Sequence, residues 1–454
     1  MKVHIAGIGG EGWSWIAKIL IEKGWEVSGC DISENNRVSD LKKLGLKNFD
    51  LGNSSSHIDN SLDAFLYTSA IKYNLENKKE LDRAIELNIK SYERNEFLPI
   101  LLNDRDIIAV SGTHGKTTTT SMISYLLDSM GEKCGFGIGG TSLNFKTNGR
   151  NGESKNFVIE ADEFADAFLG INSKIAVITS LEMDHHDYFS DFNSYINSFC
   201  KFVSNVRTDG NVLMWGDNTP VEIIKNKFLK KNSKGEFMTY GEDKSNDVVI
   251  SDIKINGFET SWKFVVGKKM FNAKVPFPGK QYAFNSTAAL LVCMFMGFDI
   301  NDAISKLNLF KGTGRRFQSS IKNGITVVND YGHHPTEIKV TVNAAKSTGK
   351  KVIVIYEPHQ YKRCVELLNE FDGVFKGINL IQCPIYASRE NPPYPISDED
   401  FFQVTKASSN SSILCDSVED AVAQALSKSQ KGDLVLVLAV GHGDLIVKNL
   451  LEDL

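Results

Sequence analysis

The chain lacks any run of about 18 apolar residues, and no basic segment leads into an apolar one near its start, so neither a membrane-spanning helix nor a secretory leader is expected. It also lacks C-x-x-C pairs. The seven cysteines are scattered and odd in number, which suits reduced thiols in a cytoplasmic protein and offers no metal-ligand spacing. A large excess of one charge sign is missing too: a formal net charge of -5 gives no general affinity for nucleic acid or anionic membrane, and neither is expected as a partner. Heptads, tandem repeats and low-complexity tracts are absent. What is left is 454 residues, 42% hydrophobic and 24% charged, an ordinary globular composition on a chain too long for one core.

Apolar runs rich in β-branched residues recur between helical patterns: "VHIAGIG", "AFLYTSA", "DIIAVSG", "FVIEAD", "KIAVITS", "ITVVND", "KVIVIYEP" and "DLVLVLAVG". Such runs suit strands buried on both faces, so the fold class is α/β with mostly parallel sheets. The strand, glycine, helix order starts at residue 3, restarts near 107 and again after "GTGRRF" (312 to 317), which gives three domains: 1 to 104, 105 to 311 and 312 to 454. From about 233 to 280 shorter polar and aromatic alternations read as antiparallel strands appended to the middle domain.

Two glycine loops carry the chemistry. "HIAGIGGEGWS" places Gly7, Gly9 and Gly12 at G-x-G-x-x-G spacing after a strand, with Asp31 nineteen residues beyond Gly12. Small residues let backbone N–H groups and a helix N-terminus face a diphosphate, and an acid can hold a ribose; NAD and UDP-sugars both offer these groups. "SGTHGKTTTTS", Ser111 to Ser121, is more specific. It lacks the usual four residues between glycines, yet Gly112, Thr113, His114, Gly115, Lys116, Thr117 and Thr118 form a strand-to-helix phosphate cradle, with Lys116 for terminal phosphates and the Thr117 hydroxyl for Mg²⁺. This makes ATP the expected cofactor and disfavours a nicotinamide oxidoreductase. Later strand ends deliver Glu160, Asp162 and Glu163, then Asp184, His185 and His186, where ligands collect in open α/β sheets. Trp13 and Trp15 read as packing for the first helix, Cys30 as buried filler, and the lysines of 225 to 236 as a solvated helix and turn.

With these pieces in order, the chain resembles the Mur ligase family, and within it the branch that joins L-alanine to UDP-N-acetylmuramate. "HIAGIGGEGWS", "YTSAI", "YERNEFL", "GTHGKTTTT", "EADEFADAF", "DHHDY", "GTGRRF" and "NDYGHHPTEI" carry the resemblance across nearly the whole sequence. It implies a Rossmann-like UDP-binding domain, a central ATPase domain and a C-terminal Rossmann-like domain. The implied reaction is ATP-dependent amide-bond formation in peptidoglycan synthesis: the sugar-acid carboxylate becomes an acyl phosphate that the amino acid attacks.

By the same resemblance Gly7, Gly9, Gly10 and Gly12 meet the UDP diphosphate, Asp31 a uridine or ribose group, and Ser69 and Arg94 the substrate side. Lys116 holds the β and γ phosphates, Thr117 one Mg²⁺, and Glu160 with His185 a second. Asn285 faces adenine, Arg316 (beside Arg315) and Asp330 approach the nucleotide as the third domain closes, His333 meets the incoming amino acid, and Arg363 grips its carboxylate. The protein is expected as a monomer or weak homodimer.

Three positions depart from the family pattern: Gln281 and Tyr282 replace the adenine-side His and Asn, with Tyr282 a candidate to stack on the base; Gln360 replaces the first of two arginines, with Lys362 or His359 as candidate helpers for Arg363; and Ser180 replaces an Asn. Gln360 keeps open a sister ligase that adds another amino acid or a preformed peptide, in murein-peptide recycling or a pseudomurein-like pathway. A nucleotide-binding regulator without catalysis is the alternative from another class.

Overall fold

A computed structural model describes residues 1–68, 71, 78–185, 188–217, 219–231, 234–388 and 390–454. These residues are mixed α/β, as the strand runs predict, and three sheets carry them. They pack as two compact units: Met1–Ile250 with Phe264–Phe271 and Phe284–Leu307, and Ser251–Lys263 with Asn272–Ala283 and Asn308–Leu454. Among the described residues no helix is long and apolar enough to cross a membrane, and all seven cysteines are buried and free.

The first sheet contains β1 (Lys2–Ala6), β2 (Glu26–Asp31), β3 (Phe49–Leu51), β4 (Ala64–Tyr67) and β5 (Lys90–Glu93) in the order β3-β2-β1-β4-β5. All four pairings are parallel. The order reverses between β1 and β4, so the glycine loop leaving β1 opens onto the crevice where α/β sheets take ligands.

The second sheet is built on β6 (Asp106–Ser111), β7 (Gly135–Ser142), β8 (Thr147–Arg150), β9 (Asn156–Glu160), β10 (Ser173–Ile178), β11 (Asn211–Trp215) and β12 (Phe237–Gly241), in the order β12-β11-β10-β6-β9-β7-β8. β6 pairs in parallel with β10 on one side and β9 on the other. The phosphate loop that leaves β6 is thus flanked by the ends of the two strands that precede the acidic and histidine segments. One expectation needs correcting: β12 runs parallel to β11, because the helix Val221–Lys231 between them makes a crossover. The appended ribbon starts later, with β13 (Val248–Asn256), β14 (Glu259–Val266) and β15 (Lys269–Val275) joined by two-residue turns, a connection that only antiparallel neighbours permit.

In the second unit β16 (Gln318–Lys322), β17 (Ile325–Asp330), β18 (Val352–Glu357), β19 (Asn379–Gln382), β20 (Ser411–Leu414) and β21 (Leu434–Ala439) form a sheet ordered β16-β17-β21-β18-β19-β20. Only its edge pair β16–β17 is antiparallel. β17, β18 and β21 are buried at every position, which explains their unbroken apolar runs.

The first two sheets share one unit because the helix Glu11–Glu22 docks on the β7–β8 hairpin. Trp15 lies 4% exposed against two glycines: a Cβ at Gly137 would sit 2.6 Å from its ring, and one at Gly149 2.6 Å from its own Cβ. Lys18 Nζ donates to Thr147 Oγ1 and Asn148 Oδ1 at 3.0 and 2.9 Å, and Asn148 Nδ2 donates to Ser14 Oγ at 2.9 Å. Trp13 packs near Phe97, ring centroids 6.4 Å apart. Trp15→Ala is expected to cost about 3–5 kcal/mol of first-unit stability, read from denaturant midpoints. Gly137→Ala should cost about 1–3 kcal/mol in the wild-type background and much less beside Trp15→Ala.

Candidate active site

β6 ends at Ser111, and the chain turns through Gly112 and Gly115 into the helix Lys116–Ser129. Both glycines have left-handed backbones, with φ of 125° and 85°. Neither has room for a side chain: a Cβ at 112 would lie 2.5 Å from Thr179 Oγ1, and one at 115 would lie 2.7 Å from Asn285 Oδ1. Thr113 Oγ1 donates to Glu182 O at 2.8 Å, and the His114 N–H donates to Ser180 Oγ at 2.8 Å. Ser180, where the family pattern has Asn, therefore holds the loop. His114 Nε2 lies 2.9 Å from Glu182 Oε2, and Thr118 is buried in the first helical turn.

Lys116 folds back into this cradle. Its Nζ donates to Gly112 O at 2.6 Å, Thr113 O at 3.1 Å and Glu163 Oε1 at 2.7 Å, and Glu163 is fully buried. Burial alone would lower the lysine pKa, but the Glu163 charge and hydrogen bond outweigh it and keep the ammonium protonated. Thr117 Oγ1 donates to Glu160 Oε1 at 2.9 Å, while Glu160 Oε2 accepts the Gly139 N–H at 2.7 Å. His185 enters from the end of β10 in a left-handed conformation, φ 56°, with Nε2 3.5 Å from Glu163 Oε1 and 3.8 Å from Asp184 Oδ2. Burial opposes its protonation, but hydrogen bonding to Glu163 and the nearby carboxylates raise its pKa overall. The glycine cradle, an open helix N-terminus and a hydroxyl, carboxylate and imidazole in one cluster fit a polyphosphate with Mg²⁺. His186 lies outside the described residues.

The same cluster reaches the first sheet. Arg94, at the start of the helix Arg94–Leu101 after β5, donates from Nη2 to Asp162 Oδ2 at 2.9 Å. A Cβ at Gly12 would meet Arg94 Nη1 at 2.7 Å. Asp31 is engaged by the loop: its Oδ2 accepts the Gly9 N–H at 2.8 Å and its Oδ1 the Ile32 N–H at 2.8 Å. Gly10 donates its N–H to Gly7 O at 3.0 Å, closing the turn. Ser69 falls outside the described residues.

In the second unit the ends of β17, β18 and β21 converge. Asp330 is buried and accepts from the N–H groups of Phe317 and Gly332, both at 2.8 Å; desolvation raises its pKa. Arg316 lies 5.2 Å from the Tyr331 ring centroid and 3.9 Å from Glu337 Oε1, while Arg315 binds the carbonyls of Ala439 and Val440. His333 faces His359 with ring centroids 5.8 Å apart, and Arg363 Nη1 donates to His359 Nδ1 at 3.4 Å. Burial pushes His333 down to about 4 and His359 down to about 3, so both are neutral near pH 7. Of the two candidate helpers for Arg363, it is therefore His359 that stands beside it; Lys362 pairs with Glu366 at 3.7 Å. Gln360 has φ 67° and donates its N–H to Tyr386 O. Tyr282 is not a free stacking platform: its ring stacks on Phe277 at 4.8 Å and its hydroxyl donates to Arg316 O at 3.2 Å.

Three domain signatures cover the chain in order: "Mur ligase family, catalytic domain" over residues 2–106, "Mur ligase middle domain" over 110–293, and "Mur ligase, glutamate ligase domain" over 315–441. A UDP-N-acetylmuramate--L-alanine ligase of Clostridium acetobutylicum is 34% identical over 98% of this chain and 95% of its own length. The chain belongs to the Mur ligase family. Among solved structures, this Mur ligase is similar in fold to the UDP-N-acetylmuramate-alanine ligase of Thermotoga maritima, with TM-score 0.82, 22% identity, and 100% and 99% of the two chains covered. It is also similar to a murein peptide ligase from Psychrobacter arcticus, with TM-score 0.70, 23% identity, and 100% and 98% covered.

Two site features of this Mur ligase are absent from the sequence reading. Glu163 is the shared partner of Lys116 and His185, and Arg94 meets Asp162. The sequence shows acids at a strand end without showing which of them is buried. The imidazole pair supplies a pH prediction. Because the unfolded state binds protons that native His333 and His359 refuse, stability is present above about pH 6.5 and falls as pH drops toward 4. Replacing both by Gln should flatten that acid limb by up to about 1.4 kcal/mol per pH unit per imidazole, measured as denaturant midpoint against pH.

Proposed function

We propose that this chain joins L-alanine to the carboxylate of UDP-N-acetylmuramate at the expense of ATP. The observation that carries the reading is the single cluster of Lys116, Thr117, Glu160, Glu163 and His185, tied through Asp162–Arg94 to the glycine loop of the first sheet. Carboxylate activation needs that adjacency, because the phosphoryl donor and the sugar acid must meet within bonding range.

Bound ATP and Mg²⁺ would supply the phosphoryl group and neutralise its charge. Lys116 Nζ would leave the Gly112 and Thr113 carbonyls for phosphate oxygens, with Glu163 fixing its approach. Thr117 would hold one Mg²⁺ and Glu160 with His185 a second, Thr117 and Glu160 through hard oxygens. Gly7, Gly9, Gly10 and Gly12 would present N–H groups to the diphosphate of the sugar substrate, with Asp31 setting the loop through Gly9. From the second unit, Asp330 and Arg316 would serve the nucleotide. His333, whose Nδ1 is 3.2 Å from Tyr331 O and so carries the proton there, would offer a bare Nε2 to the amine. Arg363 would take the amino-acid carboxylate.

Gln360 supports one second reading, a sister ligase that takes another amino acid or a preformed peptide. Phosphate release with UDP-N-acetylmuramate should depend on L-alanine and not on glycine, L-serine or a murein tripeptide; tripeptide-dependent release selects the second reading. Lys116→Ala should lower turnover by about 10²-fold or more while the fold persists. Glu163→Gln, a positioning change, should raise the KM for ATP along with lowering kcat.

A further inference from the structure

A second cluster lies in the first unit at the end of β2. His4 from β1, Cys30 from β2, His57 from the short helix Ser55–His57 and Glu80 from the helix Lys79–Glu86 each point one ligand atom into a common centre, and these atoms all lie within 4.8 Å of one another. Glu80 and Cys30 are fully buried and His4 is 2% exposed, while His57 is partly exposed.

The bonding around the centre is incomplete. Cys30 Sγ is 3.2 Å from Glu80 Oε1 and 3.3 Å from Asn53 Oδ1, and His57 Nδ1 is 2.6 Å from Glu80 Oε1. Ser28 Oγ donates to Val3 O at 3.3 Å and lies 3.0 Å from His4 Nδ1. His4 Nε2 is the other nitrogen of that ring. It is buried without a hydrogen-bond partner and faces Glu80 Oε1 at 3.7 Å. A buried ring nitrogen left without a partner at this distance from a carboxylate is an arrangement that a cation between them would complete.

We propose that His4, Cys30, His57 and Glu80 are a tetrahedral site for zinc. Two imidazoles, a thiolate and a carboxylate are a zinc donor set, and ligand bonds of about 2.0–2.3 Å require donors about 3.3–3.7 Å apart, against donor atoms here 2.6 to 3.7 Å from Glu80 Oε1 and all within 4.8 Å of one another. Binding forms the Zn–S bond and releases the thiol proton of Cys30 to solvent. Thiolate and carboxylate then cancel the two charges of the ion, so a neutral centre replaces a buried acid. Ser28 on His4 and Asp50, 4.0 Å from His57 Nε2, would be the outer partners that orient the imidazoles. The site would also fix Cys30 O, which accepts the N–H groups of Gly7 and Ile8.

The test uses the full chain, stripped with a chelator, reloaded with Zn²⁺ or Co²⁺ and desalted. The expected result is about one retained zinc per chain, and with cobalt a thiolate charge-transfer band in the near ultraviolet with strong tetrahedral bands in the visible. Cys30→Ser should remove the charge-transfer band and lower zinc affinity about tenfold or more; His57→Gln, at the more open position, should lower affinity likewise with the fold intact by circular dichroism. Metal held at the phosphate loop would give no thiolate band, so failure of the proposed function leaves this result unchanged. A stripped chain that retains no zinc, or a cobalt spectrum unaltered in Cys30→Ser or in a folded His57→Gln, overturns the proposal.

Discussion

The contact between Lys116 and Glu163 sets the terms for the rest of the site. A lysine at the mouth of a helix N-terminus is repelled by the helix dipole and loses water as the cradle closes around it, so an uncompensated ammonium there would give up its proton. Glu163 prevents this from a fully buried position, and the carbonyls of Gly112 and Thr113 complete the shell. The same carboxylate faces His185. One buried acid thus holds the charge of the phosphate loop and the orientation of an imidazole from a different strand, and removing either partner from such a pair leaves a buried charge whose cost is several kcal/mol.

That arrangement is a consequence of strand order. The loop follows β6, Glu160 to Glu163 follow β9, and Asp184 and His185 follow β10, and β6 lies between the other two with parallel registers on both sides. Parallel neighbours end at the same edge, so residues about 45 to 70 positions apart in sequence emerge together. The docking of the helix Glu11–Glu22 on β7 and β8 extends the logic to the first sheet. Trp15 needs two flat strand positions, Gly137 and Gly149 provide them, and Arg94 is then in reach of Asp162.

Much of this was readable in the amino-acid sequence. The apolar runs marked the buried parallel strands because burial on both faces leaves no alternation, and Gly-Lys-Thr after a strand marked the cradle because few other residues tolerate its backbone. The direction of β12 was not readable, since a short strand buried at every position carries no sign of its direction and only the preceding helix forces the crossover. Nor was the role of Glu163: in "EADEF" the acids are equivalent as letters, and burial, a property of the packed sheet, distinguishes them. Trp15 read as packing for its own helix, whereas its partners are glycines more than a hundred residues away, which carry no side-chain signal at all. Tyr282 looked like an aromatic surface for a base and is instead spent on Phe277.

The end of the second unit that carries His333, His359 and Arg363 follows a different electrostatic rule from the phosphate loop. There charge is matched by charge, whereas His333 and His359 are kept neutral by burial and by the nearby Arg363 cation. His359 therefore cannot substitute for a missing arginine as a cation; it can only accept the Arg363 N–H and fix the plane of the guanidinium. With Gln360 turned into a left-handed backbone at the start of the helix Tyr361–Glu366, Arg363 is one planar fork held in place beside a neutral imidazole. A single oriented guanidinium still forms two parallel hydrogen bonds to a carboxylate. On the proposed function, Gln360 in place of the second arginine would remove charge without removing bidentate geometry, and discrimination among amines would shift to the surroundings of His333 and His359.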